Sequence, residues 1–387
     1  MLSGCKSGGG SNSDAGGCSA SDAGISVDCS TGACTDLTVA GEPTGAGYFG
    51  YGNPKVFHDP GSANRSWLVY SSPVAQPIPN PDGGSTLLLQ YTVNTHLAVS
   101  NDNGASWALQ TNLWPAVLRT DPTSGHQSYL NSEVAGLAAV SHGNTITWYG
   151  VHMRYLLKPE ADYNPDFTSI TLRVATADGA TPEVLANAPE TILGYSFTAP
   201  YWNPNLRLNS LSPELTNCFW NNPTIHFLNG KLYLIPECVI STSTGGRDAA
   251  HSKISMFSTV ATGAPSTWTW AYAGSIADSS TAAQLGTALV QQLDLAPGRD
   301  GRLLAIFSPT EVTSTGIDNH GCVIASLTSL DPPVYEKDCT GNLRVLGRVS
   351  MPLGGACTYD PASTVGVIVN KTLGGGYYSL LNSGLRP

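Results

Sequence analysis

The sequence predicts an all-β chain folded as a β-propeller of four-stranded antiparallel blades, five in number, with six as the alternative. Three observations carry that expectation. Charged residues are only 12% of the 387, about half the ~25% of ordinary soluble domains, which leaves little for the solvated faces of long helices. Glycine (42) and proline (26) punctuate the chain throughout. Between them, short β-branched and aromatic runs recur from Tyr48 onward, and paired runs return at intervals of roughly 65 to 85 residues.

Taken in order, the first pair is Val56 to His58 with Trp67 to Ser71, followed by His96 to Ser100. The second is Val134 to Val140 with Thr145 to Tyr155, then Ser169 to Thr176. Thr224 to Leu228 and Lys231 to Ile235 form the third, with Lys253 to Thr259 behind them. Ala288 to Leu293 with Arg302 to Phe307 opens the fourth, and Gly321 to Ser326 follows. The fifth is Ala356 to Tyr359 with Val365 to Asn370, then Tyr377 to Leu381. The repeat is faint in letters, but Asn53-Pro54-Lys55-Val56-Phe57 returns as Asn222-Pro223-Thr224-Ile225-His226. A radial arrangement leaves only short sheet edges exposed. The segment Cys34 to Ala40 is free to supply the outer strand of the last blade and close the ring. The chain therefore divides into residues 1–35, a leader and tether, and a single propeller domain over 36–387.

Charge and cysteine content bound the surroundings. Lys plus Arg is 18 against 28 Asp plus Glu, a balance of −10 that repels phosphate backbones, so nucleic acid is excluded as a partner. No apolar run approaches the ~20 residues of a spanning helix. The start Met1-Leu2-Ser3-Gly4-Cys5 resembles the lipobox of bacterial lipoproteins, in which Cys5 would be lipidated, and the Gly/Ser/Asp-rich stretch from Lys6 to Asp22 has the composition of a flexible tether. That resemblance implies an exported chain held at the cell envelope by its lipid alone. Of nine cysteines, setting Cys5 aside leaves eight, an even number suited to disulfides in an oxidising compartment. Cys218 with Cys238 and Cys322 with Cys339 each bracket one strand unit and are the expected pairs. The partners of Cys18, Cys29, Cys34 and Cys357 stay open.

One motif points to a family. Ser100-Asn101-Asp102-Asn103-Gly104-Ala105-Ser106-Trp107 matches Ser-x-Asp-x-Gly-x-x-Trp in full. On these residues the chain resembles the sialidase-like propellers that carry the bacterial neuraminidase repeat, or Asp-box. The motif is a fold staple: Ser100 and Asp102 hydrogen-bond a tight turn, Gly104 takes positive φ, and Trp107 packs on the sheet. The resemblance implies carbohydrate as ligand and glycoside hydrolysis as the reaction class. The family's first substrate-carboxylate arginine belongs where this chain reads Tyr51-Gly52-Asn53-Pro54. Five-bladed glycosidases place a catalytic Asp at the position of Asn53, and an amide is no general base.

The geometry of a propeller selects the remaining candidates, because openings of first strands and ends of second strands converge at the axis. Glycoside cleavage needs paired carboxylates, and Glu133, Glu237 and Glu311 are the candidate catalytic set. Each has a structural alternative: Glu133 as a hydrogen-bond acceptor from the backbone of the next blade, Glu237 as an acid in an apolar stretch beside a disulfide, Glu311 as a solvated loop acid. Asn53, Asn222, His152, Arg154, Tyr51, Tyr155 and Trp220 are candidate substrate-binding residues; Arg154 equally suits a structural pair with Glu133, and His152 a satisfied interior position. Tyr201 and Trp202 lie near the same face, whereas Trp67, Trp107, Trp148, Trp268 and Trp270 suit blade packing. Phosphate-binding, zinc-protease, calcium-loop and nucleophile-elbow motifs are absent from the sequence, so no cofactor or metal is expected. Two readings follow: a glycan-binding propeller that hydrolyses a glycosidic bond, or a non-catalytic surface propeller that binds a polysaccharide or protein. A monomer is expected in either.

Overall fold

The computed structural model describes residues 24–79, 87–120, 127–156, 170–193, 208–242, 246–313 and 316–387. Cys5, Cys18, the tether, Tyr201 and Trp202 lie outside the described residues. The chain is an all-β propeller, built of five hydrogen-bonded sheets. Successive strands step outward from an inner strand, Gly52–His58, Gln127–His142, Phe219–Leu228, Leu289–Pro297 or Gly354–Thr358; the exceptions are Val117–Thr120, which pairs with the other side of Gln127–His142, and three amino-terminal strands added at outer edges. The hairpins are set by local chemistry. Leu228 pairs with Lys231 across Asn229 and Gly230, both at positive φ (50° and 77°), the combination a two-residue turn of matching twist requires.

Packing shows why the strands read as near-continuous apolar runs. Alternate side chains of one strand enter two different cores, so both faces of a sheet are buried. Trp67 and Val69 pack against Leu137 and Trp148 of the second sheet. Leu68 and Tyr70, one residue out of phase, pack against Ile368 and Leu380 of the fifth. Leu234 joins Val151 and Leu172, while Tyr233 and Ile235 join Leu293 and Phe307. Leu304 and Ile306 meet Val367 and Val369. Every neighbouring pair of sheets thus shares one core, and the ring closes.

The closing strand is the one expected from the amino-terminal segment. Thr35–Leu37 pairs antiparallel with Tyr377–Asn382 at the rim of the fifth sheet, and Val39–Ala40 runs parallel to the edge of the first. Pairing begins ahead of the boundary placed at residue 36, because Ile25–Asp28 adds a parallel strand outside Val345–Ser350. The turn after Ser100 also ties the ring. Ser100 Oγ accepts from Gly104 N at 2.7 Å, Asp102 accepts from Ser106 N at 2.9 Å, and Thr364 N of the last sheet donates to Asn103 O.

Disulfides join Cys29 to Cys34, Cys218 to Cys238 and Cys322 to Cys357. The expected Cys322–Cys339 pair is replaced. Cys322 opens the third strand of the fourth sheet, where the inner strand of the fifth brings Cys357 to a Cα separation of 6.2 Å. Cys339, which is also disulfide-bonded, sits instead in the outer connection between Pro333–Tyr335 and Val345–Ser350. These bonds belong to a protein folded in an oxidising compartment. Among the described residues no helix is long and apolar enough to cross a membrane.

Candidate functional site

All five innermost strands break their pairing register at one equivalent place. At each break one residue adopts left-handed φ: Asn53 (50°), Val134 (44°), Asn222 (43°), Gln292 (53°) and Ala356 (50°). The two Asn-Pro copies visible in the sequence are therefore members of a fivefold structural repeat. A bulge re-aims side chains and ends the ladder at a barrel or propeller rim. Here it opens a cavity on the axis of about 320 Å³.

Four sheets send residues of their bulges into it. Gly52 and Asn53 come from the first, Glu133 from the second, Asn221 and Asn222 from the third, and Gln292 from the fourth. The fifth sends Asn370 and Tyr378 from its next strands, and Tyr91 and Asn319 enter from neighbouring hairpins. Amides dominate this wall. Gln292 Nε2 donates to Asn53 Oδ1 at 3.4 Å, and Asn222 Nδ2 to Glu237 Oε2 at 2.8 Å. Gln292 Oε1 and Asn370 Oδ1 are buried with no hydrogen-bond partner among the described residues. A Cβ at Gly52 would stand 2.9 Å from Asn370 Oδ1, so the two side-chain positions are closely coupled.

Glu133 is the one carboxyl in the described lining. It is 8% exposed. Burial pushes its acid up to about 7, against the hydroxyl of Tyr155, which donates to Oε2 at 2.6 Å. A protonated carboxylic acid at near-neutral pH can therefore face a ligand here, able to donate a hydrogen bond or a proton.

Two residues beyond each bulge, the axis is plugged by polar groups. Lys55 Nζ lies 3.7 Å from Asp294 and donates to Leu293 O at 3.1 Å. Thr224 and Thr358 donate to the two oxygens of Asp294 at 3.0 and 2.6 Å, and His226 Nε2 stands 3.0 Å from it. Burial alone would raise Asp294; the Lys55 charge and the His226 and Thr358 contacts outweigh it and bring the acid down to about 2. Gly136 occupies the matching place in the second sheet, where a Cβ would press on Ile225 N at 3.0 Å. Past this plug a second cavity of about 250 Å³ opens at the other end of the axis, lined by Val56–His58, His226–Leu228 and Leu295–Pro297.

The other residues singled out in the sequence lie elsewhere. Glu237 is 2% exposed and accepts from Asn222, from Arg247 at 2.8 Å and from Gln291 at 2.7 Å. It holds Asn222 from behind the wall. Glu311 stands partly exposed opposite Asp318 in a hairpin whose other residues, Ile317 and Asn319, line the cavity. His152 and Arg154 turn away from Glu133. Strand alternation sends them to the first-sheet side, where His152 stacks on Trp114 with centroids 4.2 Å apart, while Tyr155 takes the opposite face to Glu133.

There Arg154 and Arg173 each donate to Glu190 at 3.1 Å, and Ser132 Oγ stands 2.7 Å from His152 Nδ1. Burial brings His152 down to about 4. Of the two alternatives for Arg154, a substrate-binding role or a structural pair with Glu133, the structure gives neither directly: its partner is Glu190. Trp220 is a core residue, 2% exposed, whose indole donates to Asn209. Tyr51 packs edge-on against Tyr70 and donates to Leu37 O at 3.1 Å. The sequence candidates do not include Gln292, Asn370, Asn221, Asn319, Tyr91 and Tyr378. The Gln291-Gln292 doublet, opening the fourth unit as Asn221-Asn222 opens the third, was the signal for one of them.

No family model matches the chain, and no curated protein does. Solved structures do. A family 117 glycoside hydrolase from the marine bacterium Zobellia galactanivorans aligns over 90% of this chain and 89% of its own, at 11% identity and a TM-score of 0.46. An α-L-arabinofuranosidase from Lactobacillus brevis aligns over 78% of each chain, at 11% identity and 0.42. A sialidase from Trypanosoma rangeli covers 89% of this chain with 56% of its own, at 11% identity and 0.38. At identities this low, no residue role passes from them to this chain.

Proposed function

We propose that the protein is an exported, five-bladed glycan-binding propeller whose ligand sits in the axial cavity. The observation that carries this is the wall itself: Asn53, Asn221, Asn222, Gln292, Asn319 and Asn370 line the cavity with Glu133, the one carboxyl of the described lining, its acid raised to about 7, and with Tyr91 and Tyr378. Amides donate and accept at once, as vicinal hydroxyls do, and flat phenol rings cover the apolar side of a sugar. Binding of an oligosaccharide panel to the full chain, followed by calorimetry, tests it. Asn370→Ala and Tyr378→Ala are each expected to weaken the best ligand about tenfold, ~1.4 kcal/mol. Absence of any glycan binding, or binding untouched by both substitutions, overturns the reading.

Hydrolysis is the second reading, favoured by one observation. An acid raised to about 7 inside a ligand cavity is what a glycosidic leaving group needs. The partner carboxylate, ~5 to 9.5 Å away in glycosidases, is missing from the described lining, where Glu133 stands alone. Glu237 is occupied by three donors and Glu311 lies outside. Binding is therefore placed first. Turnover of any aryl glycoside that is lost in Glu133→Gln would reverse that order.

A further inference from the structure

Among the described residues, the axial cavity has no Lys, Arg or His in its wall, although it holds a carboxyl. Four nearby cations are committed elsewhere. Lys55 faces Asp294, Arg247 is bound to Glu237, and Arg154 and Arg173 are bound to Glu190. The groups that face Glu133 are phenols: Tyr155 from its own sheet, at 2.6 Å, and Tyr378 from the fifth, whose titration feels its charge. Just behind the same wall, Gln292 Oε1 and Asn370 Oδ1 are buried without a partner among the described residues. Native structures rarely leave such atoms unsatisfied.

We propose that this cavity takes the primary ammonium group of an amino sugar, with Glu133 as its counter-charge. The inference rests on the glycan reading above and names the sugar class. An ammonium carries three donors and no acceptor, which suits a wall that holds the Glu133 carboxyl among amide and phenol side chains and no cation among its described residues. A hydroxyl supplies one donor, and an N-acetyl group one donor with an oxygen that would oppose the carboxylate. The phenol rings of Tyr91 and Tyr378 add a favourable face for a cation. The net charge of −10 draws cationic polymers towards the molecule.

The distinguishing consequence is a proton. Below about pH 7 Glu133 is mostly protonated in the free protein, and pairing with an ammonium drives that proton off. Calorimetry at pH 6 in buffers of different ionisation enthalpy counts it. The probes are an oligomer of β-1,4-linked glucosamine, its N-acetylated form, and the glucose oligomer of the same length. The glucosamine oligomer is expected to bind at least tenfold more tightly than either, with release approaching one proton per site. Glu133→Gln is expected to abolish the release and erase the preference; Asn370→Ala is expected to weaken binding several-fold while the release persists.

A neutral oligomer that binds as well as the amino form, or amino-sugar binding with no proton released, overturns this inference and leaves the glycan reading standing. Binding of none of the three overturns it too, and further binding failure across the wider oligosaccharide panel removes the glycan reading as well.

Discussion

Val134 holds φ at 44° although its branched side chain resists the left-handed region, so the second sheet accepts local strain where Glu133 meets the cavity. At this scale the electrostatics of Glu133 give a testable sign. Its acid is raised from 4.5 to about 7 in the folded chain, so the folded state binds the proton more tightly than the unfolded one. The stability that proton confers is complete below about pH 4.5 and is lost as pH rises through about 7. Glu133→Gln removes the titration. Urea unfolding at pH 8 should find the variant more stable than the parent by up to about 3 kcal/mol, with the gap closing at pH 4. A gap independent of pH would refute the buried-acid account. Asn53 and Asn222 were legible beforehand, since asparagine tolerates positive φ and a following proline marks the break. Val134, Gln292 and Ala356 carry no such mark, because the ring imposes that conformation on them.

Among the elements, the turn from Ser100 to Trp107 shows how a short motif does two jobs. Internally it is closed by Ser100 and Asp102, whose acid the Ser106 hydroxyl, first among its hydrogen bonds, holds down to about 2. Externally it docks on the last sheet, where Ser363 and Thr364 donate to Asn103 O. Gly104 sits at the junction with φ of 87°, and a Cβ there would overlap Ser363 Oγ. Gly104→Ala is expected to cost more than about 1 kcal/mol through that conformation alone, with the overlap added, and to lower Tm in a thermal melt. An unchanged Tm would mean the first and last sheets are held together without this contact.

The motif's internal role could be read from spacing. Its docking partner could not, since 260 residues separate Ser363 from Asn103. Register explains the misplacement of His152 and Arg154. Both lie on a strand whose odd and even residues serve different neighbours, and only pairing with Gln127–His142 reveals that Tyr155 and not Arg154 reaches Glu133.

For the molecule as a whole, the axis is held by charge buried among threonines, and that arrangement separates the two cavities. Lys55 is 5% exposed and Asp294 3%. Removing one partner of a buried pair leaves the other uncompensated. Lys55→Met should therefore destabilise the fold by about 3 to 5 kcal/mol in urea titration, and adding Asp294→Asn should recover part of the loss. If the double variant is no better than the single one, the pair is not coupled. Asp294 also sets an acid limit: its depressed pKa supplies stability above about pH 4 that disappears as pH falls towards 2.

What the sequence determined by itself was the architecture: low charge, punctuation by glycine and proline, and paired apolar runs suffice to specify sheets buried on both faces. It also placed Glu133, Asn53 and Asn222 at the openings of inner strands. The tertiary structure alone decided which groups share the cavity. Asn370, Gln292 and Tyr378 join Glu133 there, while Glu237 and Arg154 find other partners. The reason is physical: strand patterns are local and repeat every two residues, whereas the axis gathers side chains from sheets hundreds of residues apart, at heights fixed by five bulges of which only two carry a local Asn-Pro mark.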